Sequence, residues 1–271
     1  MKKIFLLLLF ISTIAQAQIV NIPDANFKAK LLSANSSNQI ASTEIPIIFN
    51  GYPIFTYYTS IDLNNDGEIQ VSEAESITYL NVSNDSFPNS ETIFTLSGIS
   101  SFTNLQVLSA VNSQISNIDL SNNVNLMKIN LMNNNISNIN LSGLTNLIEL
   151  LLSTNSLISI DLTGMTDLKV LEVPSNQLSI INLDDLLNVK RIQCQNNNLN
   201  NLDVENLLSL EELDCNNNSL TNLNLLNLPS LINLKCSSNN LVDIDLSSIT
   251  NLSFLDCTFN NLQILDCMAN S

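Results

Sequence analysis

Residues 187–228 decide the architecture: LNVKRIQCQNNNLNNLDVENL (187–207) runs without a gap into LSLEELDCNNNSLTNLNLLNL (208–228). Laid one over the other, the two 21-residue stretches are apolar at the third, sixth, eighth, thirteenth, sixteenth and eighteenth places and carry asparagine at the eleventh. Working outward, the same register begins at Thr103, Val124, Thr145, Thr166, Leu187, Leu208, Pro229 and Thr250, so residues 103–271 hold eight units with no insertion. The sixth place reads Leu108, Ile129, Leu150, Leu171, Ile192, Leu213, Leu234 and Leu255; the eleventh reads Ser113, then Asn134, Asn155, Asn176, Asn197, Asn218, Asn239 and Asn260. One such coil cannot bury its own apolar face, so each must stack on the next and share one continuous core. A period of two in Leu-x-Leu turns both apolar residues inward from a short strand and the residue between them outward. At the bend after the strand, the asparagine amide is placed to pair with backbone groups that would otherwise be buried unsatisfied.

The pattern L-x-x-L-x-L-x-x-N-x-L resembles the leucine-rich repeat family in its short, bacterial internalin-like form. The resemblance covers the eight units and implies a leucine-rich repeat solenoid, β-dominated within the α/β class, with a parallel sheet of stacked coils and a small helical N-terminal cap. It also implies that the concave face of the sheet is where members of the family differ in what they recognise.

Two further columns follow the register. Cys194, Cys215, Cys236 and Cys257 fall at the eighth place and Cys267 at the eighteenth, both core columns, which predicts free, buried thiols that pack as small hydrophobes. The seventeenth place alternates acid and amide: Asp119, Asn140, Asp161, Asn182, Asp203, Asn224, Asp245, and then Asp266. Calcium bridging along this convex face and a solvated ladder are the two readings of that column.

Ahead of the repeats, Lys2 and Lys3, an apolar run from Ile4 to Ala15 and the small-residue pattern Ala15-Gln16-Ala17 read as a signal peptide over residues 1–17, cleaved after Ala17. No later apolar run is long enough to span a bilayer, so no membrane span is expected. Residues 18–76 read as the cap. Asp24 is placed to cap a short helix whose Phe27 and Leu31 face the core, and a second helix is expected to begin near Ser72. Between them, residues 62–73 match D-x-[DN]-x-[DN]-G-x5-E at every defined position and resemble the calcium loop of the EF-hand family. That resemblance implies one calcium ion held by Asp62, Asn64, Asp66, the Glu68 carbonyl, Gln70 through water and a bidentate Glu73. The segment entering the loop, residues 49–58, departs from the family: its turn residues and β-formers argue against a helix. Residues 77–102 read as a divergent first coil, with Ile77, Leu80 and Val82 at strand spacing and an insertion around Phe87-Pro88-Asn89.

Composition excludes several functions. Nine basic against 25 acidic residues give a net charge of −16, which disfavours nucleic acid as a partner. With no histidine or tryptophan, Ser-His-Asp and Cys-His nucleophiles, histidine-ligated zinc and tryptophan stacking platforms are absent. On the outward sheet positions, Val107, Val111, Met127, Met132, Ile148 and Leu151 predict an exposed apolar patch, and Lys169, Glu172, Lys190, Arg191, Glu211, Glu212 and Asp214 a mixed charged zone. The expectation is a secreted or cell-surface, non-enzymatic binding module that contacts a protein partner through its concave sheet in recognition or adhesion. A structural spacer or cell-envelope component with no ligand is the alternative, and a glycosidase using Glu172, Glu211 and Glu212 would lack a concave pocket around its carboxyls. The last unit has no polar cap over Leu252, Leu255, Leu262 and Leu265, so either the chain continues beyond residue 271 or this edge associates end to end with another chain.

Overall fold

In the computed structural model, residues 18–49, 52–84, 91–263 and 265 are described. The cap comprises α1 (Ala25–Leu32), β1 (Ala41–Ser42), the hairpin β2 (Ile47–Phe49) and β3 (Tyr52–Ile54), and α2 (Val71–Ser76). The divergent coil contributes β4 (Tyr79–Asn81) and a 3₁₀ turn at Ile99–Ser101. The repeats then supply β5 (Val107–Ser109), β6 (Asn117–Asp119), β7 (Lys128–Asn130), β8 (Asn138–Asn140), β9 (Glu149–Leu151), β10 (Val170–Glu172), β11 (Arg191–Gln193), β12 (Glu212–Asp214), β13 (Asn233–Lys235) and β14 (Phe254–Asp256).

A ten-stranded sheet in the order β1-β4-β5-β7-β9-β10-β11-β12-β13-β14 forms the concave face, parallel throughout except for the antiparallel β1–β4 pair. Residues 21 apart stand side by side, Leu171 opposite Ile192 and Leu213 opposite Leu234, so the sequence period is the strand-to-strand step. Tyr79 pairs with Val107, 28 residues on, and the extra length falls in the divergent coil, whose insertion lies outside the described residues. On the opposite side β6 and β8 pair in parallel. The fold is that of a leucine-rich repeat solenoid.

Strands stop after three residues because the chain turns immediately. The tenth place of the units, Asn112, Asn133, Thr154, Ser175, Asn196, Asn217, Ser238 and Phe259, takes a positive φ of 52 to 58°. At the next place, each asparagine serves three masters. Asn176 donates through Nδ2 to the carbonyls of Val173 in its own coil (3.1 Å) and Leu152 in the preceding one (3.0 Å), and its Oδ1 accepts from Leu157 N (3.0 Å). Asn197, Asn218 and Asn239 repeat these bonds one coil at a time. In the first unit Ser113 is buried with its hydroxyl unpartnered, since it is too short to make the same reach.

Cys194, Cys215 and Cys236 are free and buried as expected, and burial pushes the Cys194 and Cys236 thiols up to about 12. Cys257 is only half-buried, a correction that follows from its place in the last described strand, where β14 has a neighbour on one side only. Cys267 and Asp266 lie outside the described residues.

The seventeenth column has a local explanation. Oδ1 of Asp119, Asn140, Asp161, Asn182, Asp203, Asn224 and Asp245 each accepts a backbone N–H two residues on, from Ser121, Ser142, Thr163, Asp184, Glu205, Leu226 and Ser247. The turn needs an acceptor oxygen and not a charge, so aspartate and asparagine substitute for one another.

In the cap, Asp24 ends α1 by accepting from Asn26 N and Phe27 N through Oδ1, while its Oδ2 accepts from Phe94 N (2.7 Å) and Thr95 N (3.1 Å) of the divergent coil. Phe27 and Leu31 are fully buried. Gly98 holds φ +102°, and a Cβ there would stand 2.9 Å from the Asn21 carbonyl oxygen, so only glycine lets the leading segment pass this close.

Candidate functional site

The cap loop is built by its ends. Ile61 and Ile69 are buried, and residues 18–20 bridge to the loop through Val20 N donating to Ile69 O and Val71 N donating to Gln18 O, both at 2.8 Å. Asn65 at φ 58° and Gly67 at φ 80° make the sharp turn. Asp62 accepts from Gly67 N (3.0 Å), Asn64 from Asp66 N (3.0 Å) and Asp66 from Glu68 N (2.9 Å), the last bond holding the Asp66 carboxyl below its ordinary pKa.

The structure brings Asn64, Asp66 and Gln70 together: Asp66 Oδ2 accepts from Asn64 Nδ2 (3.0 Å) and Gln70 Nε2 (2.9 Å), and Asn64 Nδ2 also reaches Gln70 Oε1 (3.2 Å). Glu73 is buried and caps α2, with Oε1 accepting from Leu63 N (2.8 Å) and Oε2 from Gln70 N (3.0 Å). Among the described residues no three carboxylates already converge on one point, so here the loop is closed by its own hydrogen bonds. Its donor set is nonetheless all oxygen, as a hard divalent cation requires, and the Glu68 side chain, which that set does not use, is drawn off into an ion pair with Lys28 at 2.6 Å.

On the concave sheet the expected apolar patch is corrected. Val107 (6% exposed) and Ile148 (9%) are buried, and Val111, Met127, Met132 and Leu151 are half-buried. Val107 stands beside Tyr79, whose ring is covered by Phe55 (centroids 4.9 Å apart) and Tyr58 (5.8 Å). Ile148 is bonded through its backbone between Met127 (2.7 Å) and Lys169 (2.9 Å), which places it between two adjoining coils rather than at an open edge. Exposed apolar surface lies elsewhere: on the hairpin at Ile47, Ile48, Phe49 (62% exposed) and Ile54, and at the other end of the sheet at Ile232 and Phe254.

The charged zone is paired from coil to coil. Lys190 meets Glu211 (2.7 Å), Arg191 meets Glu172 (3.2 Å), Lys235 approaches Asp214 (3.9 Å), and Lys128 pairs with Glu149. Half-burial raises the Asp214 carboxyl above its ordinary pKa. Glu212 is exposed, and Lys169 stands outside every ion pair of the described residues.

A groove of about 580 Å³ runs along one flank of the sheet between the second and fourth columns, over Met127, Ile148, Lys169 and Lys190. Its other wall was not anticipated: Asn125, Asn146 and Asn188 each donate to a carbonyl of the preceding coil, Thr103, Val124 and Thr166, while Asp167 and Ser209 line the groove at the same place of their own units. The signal was available, since the second place reads asparagine in most units. The hairpin was not legible as a part of this face.

No family model matches the chain, and no curated protein is similar to it in sequence. Solved structures are similar. The functional domain of InlJ from Listeria monocytogenes, described as including a cysteine ladder, superposes with a TM-score of 0.75 at 26% identity, covering 94% of this chain and 50% of its own. This chain thus spans about half the length of that structure. Internalin C2 of Listeria monocytogenes matches at TM-score 0.64 and 23% identity over 89% of this chain and 99% of its own. A leucine-rich repeat protein of Leptospira interrogans matches at 0.62 and 21% identity over 71% and 57%. The fold class is therefore one found in bacterial internalins, and no helix of the described residues is long and apolar enough to cross a membrane.

Proposed function

We propose that the protein is a secreted or cell-surface, non-enzymatic binding module that recognises a protein partner through its concave sheet, with one structural calcium in the cap loop. The observation that carries the reading is the distribution of cations. Every Lys and Arg after residue 30, namely Lys128, Lys169, Lys190, Arg191 and Lys235, sits on or directly before a strand of this one sheet, while the seventeenth column of the convex turns carries acids and amides. The core and turn columns repeat their chemistry from coil to coil, whereas the outward columns change, which is where a recognition surface is written. Secretion rests on the leader pattern of residues 1–17, which lie outside the described residues. End-to-end association through the last coil is part of the same proposal, supported by Leu252, Leu255 and Leu262 remaining half-buried. Analytical ultracentrifugation across a concentration series tests it.

Calcium would take oxygens of Asp62, Asn64, Asp66 and Glu73, the Glu68 carbonyl and Gln70 through water. It must compete with the hydrogen bonds that now close the loop, which favours a weak site, with Kd on the order of 10⁻⁴ to 10⁻³ M. Thermal unfolding over a calcium titration, against EGTA, tests this: a site that binds the folded state adds RT ln(1 + [L]/Kd) to stability. Glu73→Gln keeps an acceptor for Leu63 N but removes the charge, so it should abolish the calcium-dependent rise. An unchanged melting curve from zero to 10 Kd would remove the metal from the proposal.

For the concave face, a partner selected from displayed extracellular protein domains should lose binding with Arg191→Glu and keep it with Asp161→Asn on the convex side. Selected partners indifferent to Arg191→Glu and to any other concave substitution would sink the assignment of the face.

A further inference from the structure

Four carboxylates lie within residues 62–73 of the cap loop: Asp62, Asp66, Glu68 and Glu73. Asp62, Asp66 and Glu73 belong to the donor set, and each is already aimed by backbone N–H groups of the loop. Glu68 offers that set only its carbonyl. Its carboxylate turns instead to Lys28, 40 residues away in the chain, whose Nζ donates to Oε2 at 2.6 Å. Residues 18–76 hold two basic side chains, Lys28 and Lys30, and among the described residues only Lys28 pairs with a carboxylate of the loop.

The fold, and not the loop, places that ammonium. Helix α1 buries Phe27 and Leu31 completely, Lys28 N closes its first turn by donating to Asp24 O (2.9 Å), and the Asp24 side chain ties the same turn to Phe94 N and Thr95 N of the divergent coil. Lys28 therefore reaches the loop from an element anchored in the core. The side chains of the pair are 28% and 40% exposed, so water screens their charges only in part. A cation in the loop feels every nearby carboxylate, ligand or not, and loops of this kind are tuned by their charge count and rigidity. With Glu68 cancelled by Lys28, three carboxylates act on the cation; without Lys28, four would.

We propose that Lys28 sets the calcium affinity of the loop. By holding the Glu68 carboxylate in a neutral pair, a residue of α1 keeps the effective charge of the site at three carboxylates and so keeps the site weak. Lys28 is a positioning residue here: it touches Glu68 and no member of the donor set. This rests on the calcium reading above and names what tunes that site.

The test is calcium titration calorimetry on the full chain at low salt, for wild type, Lys28→Met, Glu68→Gln and the double variant. Lys28→Met uncovers a carboxylate and should tighten Kd about fivefold, the order expected of one partly exposed unit charge acting on a divalent ion. Glu68→Gln uncovers the ammonium and should weaken Kd by about the same factor. The double variant, with neither charge, should return to the wild-type value, Lys28→Arg should match wild type, and added sodium chloride should shrink both single effects. A merely structural pair would weaken binding on loss of either partner, so tightening by Lys28→Met is the discriminating sign. Unfolding of each variant in EGTA checks that its fold is intact. A Kd that Lys28→Met leaves unchanged or weakens, or a double variant as weak as Glu68→Gln, would overturn the proposal. If wild type binds calcium and all the variants bind it alike, the calcium reading stands and this inference alone fails; if no chain binds calcium, both fail.

Discussion

The eleventh column and the outward concave columns lie a few residues apart in every coil and obey opposite rules. From Asn134 to Asn260 the buried column is one residue type, because each amide closes bonds to its own coil and to the one before. The outward columns hold Val107, Lys128, Glu149, Val170, Arg191, Glu212, Asn233 and Phe254 at a single place. A position adjoining three backbone groups is filled by the side chain that satisfies them all, and Ser113, which does not reach them, leaves its own hydroxyl unpartnered. A position on the outer face of the sheet, whether buried like Val107 or exposed like Glu212, tolerates many, provided opposite charges end up adjacent. The difference separates what holds the solenoid from what it is able to recognise.

The comparison breaks most visibly at Asn176→Ala, which strands Leu157 N in the interior and removes one of the two amide donors at Val173 O and at Leu152 O, where Asn197 and Asn155 remain. A loss of about 3 kcal/mol is expected, from one unsatisfied group costing about 1–3 kcal/mol and two further hydrogen bonds at about 0.5–1.5 kcal/mol each, read by urea denaturation. Next comes Cys215→Ser, where a hydroxyl replaces a buried thiol that already reaches Lys235 O at 3.4 Å. About 1–3 kcal/mol should be lost, and less if the serine keeps that bond. In the wild-type chain, a thiol-reactive chromogenic disulfide should leave Cys194, Cys215 and Cys236 untouched until denaturant is added, since their thiols are buried and poorly ionised.

On the outward side, Arg191→Ala should cost no more than about 1 kcal/mol despite losing its 3.2 Å pair with Glu172, because half-exposed pairs contribute little. Smallest of all is Asp161→Asn, which keeps the acceptor for Thr163 and should lower the melting temperature at pH 7 only slightly. Its signature is acid dependence. The Asp161 carboxyl is held below its ordinary pKa by the Thr163 hydroxyl and N–H, so its stabilising effect is present above about pH 4 and fades as pH falls through the lower folded value. The asparagine variant should lose less stability than wild type below about pH 4, and identical acid profiles would show that this carboxylate is not coupled to folding.

Legibility in the sequence followed the same divide. Leu171, Asn176 and Cys194 could be placed from the period alone, because a 21-residue step leaves each core column only one direction to point. Asp24 and Phe27 were readable from helix capping, and the loop at residues 62–73 from its spacing. Val107 and Ile148 are buried although their outward places in the repeat predict exposure, since each stands between neighbours from other coils, Val107 beside Tyr79 and Ile148 between Met127 and Lys169. Glu73 was readable as a ligand type but not as the cap that closes Leu63 N and Gln70 N.

What the sequence determined by itself was the solenoid: a repeat whose apolar places cannot be satisfied within one coil dictates stacking, and stacking at a constant step dictates a parallel sheet with its asparagine ladder. Tertiary structure alone decided which concave cations find partners and where the hairpin stands. Ion pairing and burial on that face depend on side chains 21 residues apart meeting across one strand spacing, a distance that the linear order of residues does not express.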